Sequence, residues 1–201
     1  MSRKGFTLAE ILITLTVIGV VAALTIPTLL QNTNQAELKA ALKKDFGDIS
    51  QASIIIANDQ GGTLGGTFGS NMDSQTNDNF KNLFKNKLNY IKDCSFGSGA
   101  CWHGANDWFN WQGVKMNDVD VAYWHTRPGL ILNNGALVIT DLVSTNCTGT
   151  IVSNNDVCAQ IIIDVNGFKP PNTDNKDIFC LYVLNRGNLL IEGGNAYYLY
   201  Q

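Results

Sequence analysis

Five cysteines, two histidines, four tryptophans and a cluster of Asp and Asn side chains are the residues that could do chemistry in this chain of 201 residues. The cysteines are Cys94, Cys101, Cys147, Cys158 and Cys180, an odd number, so at least one thiol is left over or pairs between chains. A zinc set would take Cys94, Cys101 and His103 with His125, but these spacings fit no familiar zinc motif. In an oxidising compartment the alternative is two short-loop disulfides, Cys94 with Cys101 and Cys147 with Cys158. Spacing leaves that connectivity open. Cys180, mid-strand in IFCLY, reads as a buried thiol outside the disulfides.

Trp102, Trp108, Trp111 and Trp124 fall close together, with Phe109 and Tyr123. Such a cluster either builds the core of a loop-rich subdomain or stacks a ligand, with Trp108 and Trp111 the candidates for contact. The stretch IDVNGFKPPNTDNKDIF gathers Asp164, Asn166, Asn172, Asp174 and Asp177. Oxygen ligands alternating around a Gly turn suit calcium. The EF-hand pattern is not met, because the Gly comes too early and no Glu closes the loop. The competing reading is a turn held by Asx side chains on backbone groups. No catalytic set emerges: there is no G-x-S-x-G, no phosphate loop and no dinucleotide fingerprint. The formal net charge of -3 offers no broad nucleic-acid footprint.

These residues need elements to position them, and the chain opens on the most distinctive one. Ile11 to Leu30 holds no charged residue. As a helix it would span about 30 Å, the hydrocarbon thickness of a bilayer. A secretory signal would show a small-residue cleavage site after the apolar run, whereas Arg3, Lys4 and Gly5 precede it. Glu10 lies at its start, where an unpartnered carboxylate is costly.

The stretch RKGFTLAEILITLTVIGVVAALTIPTL resembles the N-terminus of type IV pilins and type II secretion pseudopilins. The shared pattern is a basic leader ending in Gly5, then Phe6, then Glu10, then an apolar helix. The resemblance implies that a prepilin peptidase cuts between Gly5 and Phe6 on the cytoplasmic face and N-methylates Phe6. It also implies that Glu10 meets the new α-amino group of a neighbouring subunit and so sets register in a filament. Its further implications are other pilin or pseudopilin subunits and an inner-membrane assembly platform as partners. The globular part would then lie outside the cytoplasm on a single-pass anchor in the lipid bilayer. Calcium in a C-terminal loop also occurs in some pseudopilins of the major type.

The expected organisation is a leader over 1–5, a transmembrane and assembly helix over 6–30, its amphipathic continuation over 31–57 and a globular domain over 58–201. Leu38, Leu42, Phe46, Ile49 and Ile56 recur at helical spacing, and Lys39, Lys43, Lys44, Asp45 and Asp48 fall on other faces. Residues 78–92 read as a second helix, N-capped by Asp78, with Lys81, Lys85 and Lys87 largely off its apolar stripe. Hairpins are expected at Asn134-Gly135 and through NRGN, with AQIIIDVNGF as a strand and AYYLY as a last strand or tail. The fold class is α+β and pilin-like: one long N-terminal helix packed on a small antiparallel sheet. Function then reads as a filament subunit. The alternative is a minor pilin whose Trp-rich loop binds sugar, DNA or a surface protein at a filament tip.

Overall fold

The computed structural model describes residues 5–104, 107–151 and 154–191. The basic leader residues Arg3 and Lys4 and the expected AYYLY element lie outside them. The chain divides into two compact units, Met1–Glu37 and Leu38–Gln201.

Helix α1 runs from Leu8 to Asp59, with Pro27 inside it, and contributes to both units. In the first unit its stretch Leu8–Pro27 is long and apolar enough to cross a membrane, and none of it is buried within the structure. The hydroxyls of Thr14 and Thr16 donate to the carbonyls of Ile11 and Leu12, at 2.9 and 2.8 Å. Thr25 does the same to Val21. Polar groups are thereby satisfied within the helix, as a lipid-facing segment requires.

The second unit is α+β. Helix α2 (Ser74–Lys85), strand β1 (Tyr90–Cys94) and helix α3 (Asp118–His125) precede strands β2 (Gly129–Leu132), β3 (Leu137–Leu142), β4 (Gly149–Ile151), β5 (Asn154–Asp164), β6 (Ile178–Leu184) and β7 (Leu189–Ile191). The seven strands form one sheet in the order β1-β2-β3-β5-β6-β7, and β4 pairs with β5. Every pairing is antiparallel.

The sheet is covered on both faces, and the period of two along each strand divides its side chains. Ala159, Ile161 and Ile163 of β5 and Phe179, Leu181 and Val183 of β6 join Leu42, Ile49, Ala52 and Ile56 of α1 in the main core. Their alternates, Ile162 and Ile178, pack with Leu137 and Ile139 of β3 against Trp102, Trp108 and Val121. The Trp-rich segment is therefore a third layer on the sheet.

The expected hairpins form. Gly135, at φ 92°, closes the β2–β3 turn, a left-handed conformation that favours glycine. Other expectations need correction. Helix α2 starts at Ser74 and is capped by Asp73, in a reciprocal box with Thr76. Asp78 lies inside it and accepts from the Phe96 N–H. Residues 90–92 are strand rather than helix, because β1 pairs with β2. Two charges expected on solvent faces are buried. Asp45 accepts from the Asn134 side chain at 2.7 Å, and burial holds its carboxyl above the ordinary range. Lys81 is enclosed between Asp78 and Asp93.

Candidate functional site

Two places carry the residues singled out above, one in each unit. At the N-terminus, Gly5 and Phe6 precede the helix in irregular chain. A Cβ added at Gly5 would meet nothing within 4 Å, and Phe6 is 84% exposed. The bond between them is open to an enzyme, and nothing in the fold demands glycine there.

Thr7, Leu8, Ala9 and Glu10 form a capping box. The Thr7 N–H and hydroxyl both donate to Glu10 Oε2, at 2.8 and 2.9 Å. The Glu10 N–H donates back to Thr7 Oγ1 at 3.3 Å. Two orphan donors of the first turn are thereby satisfied. The sequence carries the signal for this box: Thr7 followed three residues later by Glu10.

In the second unit, Cys94 is bonded to Cys101 and Cys147 to Cys158. The thiols a zinc set would need are thus consumed. Cys180 is half-buried rather than buried, with Sγ 3.9 Å from Gln160 Oε1. Cys94–Cys101 leads directly into Trp102 and His103. The His103 ring is buried and its Nε2 lies 2.8 Å from Asp164 Oδ2, which is also buried. Burial pushes the Asp164 carboxyl up to about 6, with the His103 contact opposing the rise. His125 Nδ1 sits 3.0 Å from the His103 carbonyl oxygen. Neither histidine pairing was legible from spacing, since 61 residues separate His103 from Asp164.

The remaining Asx residues are divided among separate tasks. Asp177 accepts the backbone N–H groups of Asn172 and Thr173, at 2.8 and 2.7 Å. Asp174 Oδ1 accepts from Trp108 Nε1 at 2.7 Å. Asp164 Oδ1 accepts the Asn166 N–H at 3.1 Å. Asn166 Oδ1 and Asn172 Oδ1 are buried with no donor among the described residues. Calcium takes six to eight oxygens around one centre. Among the described residues no three His, Cys, Asp or Glu side chains come together as a metal-holding group. In this structure the three carboxylates of the set fasten the loop and the Trp layer.

The tryptophans also separate by role. Trp102 and Trp108 are core, their rings meeting edge to face at 5.5 Å. Trp124 is half-buried. Trp111 is 64% exposed. Trp108, at 3% exposure, is a wall rather than a displayed platform.

Residues 1–26 match a family model described as the prokaryotic N-terminal methylation motif, the signature of type IV pilins and pseudopilins. No curated protein and no solved structure matches the chain.

Proposed function

We propose that this chain, which carries the N-terminal methylation motif on a helix fit to span a membrane, is a structural subunit of a type IV pilus-like or type II secretion pseudopilus filament. The single observation that carries the reading is the coincidence of that motif with Leu8–Pro27, none of which is buried among the described residues. Such a helix needs either lipid or neighbouring helices around it. Exchanging one for the other is close to balanced, because lipid tails are as apolar as leucine. Filament assembly is the process that makes that exchange.

In this reading prepilin peptidase cuts before Phe6 and methylates the new amine. Cleavage removes Arg3 and Lys4 and leaves the amine one helical turn from Glu10. The amine of one subunit and the Glu10 carboxylate of the next then neutralise each other inside the helix bundle. A charge left without its partner in such a place is strongly penalised, so the pair sets the axial step. The chain is the substrate of the peptidase and works as a building block.

The test is assembly of a Glu10→Val variant in a host that supplies the peptidase and the assembly platform. The variant should insert and be processed, yet be missing from the sheared filament fraction. Wild-type chain absent from that fraction under the same conditions would reject the filament role. Normal filaments from Glu10→Val would reject the register role alone.

A further inference from the structure

Beyond the filament role, the globular unit carries a groove of about 480 Å³ where the Trp layer meets the sheet. That volume lies within the roughly 300–1,000 Å³ of small-molecule sites. Trp108, Trp111 and Trp124 form its aromatic side. Gln160, Asp174 and Asn175 supply polar groups to the same space. We propose that this groove binds a neutral carbohydrate, with a pyranose ring stacked on Trp111 and its hydroxyls held by Gln160, Asp174 and Asn175.

Three observations select this ligand class. First, Trp111 is exposed on a turn that holds it in place. The Asn110 side chain accepts the N–H groups of Gln112 and Val114, and the Asn110 N–H donates to the Val114 carbonyl oxygen at 2.8 Å. An indole carried on a hydrogen-bonded turn at the rim gives a flat apolar face with only two side-chain torsions to order. The axial C–H face of a pyranose is the natural complement.

Second, the polar groups are set before any ligand arrives. Asp174 is held by the Trp108 indole, and Gln160 Nε2 donates to Asp141 Oδ2 at 3.3 Å. Carboxylate and carboxamide groups serve the dense hydroxyls of a sugar as acceptors and donors.

Third, the lining holds a carboxylate and no Lys, Arg or His. Nucleic acid needs cations for its phosphates, and sialylated or sulfated glycans need them too. A groove with an acid at its wall disfavours all of these.

The experiment is a glycan microarray probed with the full chain in lauryldimethylamine oxide, whose headgroup carries no sugar. Neutral and anionic glycans are printed side by side, with single-stranded DNA spots beside them. The strongest hit is then titrated against wild type, Trp111→Ala and Trp111→Phe by tryptophan fluorescence. Neutral glycans should dominate. Trp111→Ala should weaken binding about tenfold or more, the scale of one lost stacking contact, while Trp111→Phe retains most of it. Because Trp111 is exposed, both variants should unfold at the wild-type temperature. No binding to any neutral glycan overturns the proposal. So do hits confined to anionic glycans or DNA, and so does binding by a folded Trp111→Ala equal to wild type.

Discussion

Glu10 Oε2 accepts two hydrogen bonds from Thr7, one from its N–H at 2.8 Å and one from its hydroxyl at 2.9 Å. The carboxylate at the head of the apolar helix is therefore not bare. Its own chain supplies the donors. Thr7→Val removes the hydroxyl and should cost about 1 kcal/mol of helix-start stability, the usual worth of an N-cap. Hydrogen exchange over residues 8–11 in micelles should quicken in Thr7→Val and stay at the wild-type rate in Thr7→Ser. Equal rates in all three would mean that the box adds nothing.

A Cβ added at Gly5 meets nothing within 4 Å, so under the proposed processing an intolerance to substitution there falls on the peptidase. Gly5→Ala should be cut at a rate near wild type or modestly slower. Gly5→Leu should remain as precursor while giving the same circular dichroism and melting curve. A mobility-shift assay with purified peptidase separates the cases. Efficient cutting of Gly5→Leu would contradict the assignment of this bond.

The two disulfides close loops of similar length, with separations of 7 and 11 residues. Chain entropy alone distinguishes them by only about 0.4 kcal/mol. Cys147 and Cys158 belong to the main core, however. Replacing both with Ser should therefore cost more than the same change at Cys94 and Cys101, with the core pair losing about 3 kcal/mol or more. Urea titrations of the two double variants give the comparison directly. The reverse order would mean that the Trp layer, not the main core, governs global unfolding.

His103 and Asp164 hold the Trp layer to β5. His103→Ala leaves a buried acceptor without its donor and should cost about 1–3 kcal/mol at neutral pH. The pH dependence has a definite sign. The folded carboxyl is raised to about 6, above its ordinary 3.8, so ionising it costs stability. Its contribution is fully favourable below pH 3.8 and is lost as pH rises through about 6. Asp164→Asn should flatten the wild-type stability profile across that window. The His103→Ala penalty should shrink as pH falls toward about 6, because the carboxyl then protonates in both proteins. Thermal melts from pH 4.5 to 8 would show both, and parallel profiles for all three proteins would contradict the assignment.

The parts of the fold legible in the sequence are those set by local pattern. Leu38, Leu42 and Ile49 mark the face of α1 that packs into the core, and Asn134-Gly135 marks its hairpin. Elements that depend on distant pairing were hidden. β1 continues the apolar spacing of α2, and only its ladder to β2 makes it a strand. α3, DVDVAYWH, has no clear helical period. Asp45 and Lys81 fall off the apolar stripes of their helices, and their burial depends on partners at Asn134 and Asp93. The same distance effect shaped the candidate site: Trp108 and Asp174 are 66 residues apart, so neither the indole's partner nor the division of the Asx cluster could be read from spacing. What sequence patterns did show was the N-terminal motif, because its residues are contiguous and its chemistry is local.

The most direct measurement is an intact-mass and N-terminal peptide analysis of the protein from its native membrane fraction. The account predicts a chain that begins at N-methyl-Phe6, with Met1 to Gly5 gone. A chain that still begins at Met1 would contradict it, and would leave the N-terminal helix as an uncleaved anchor.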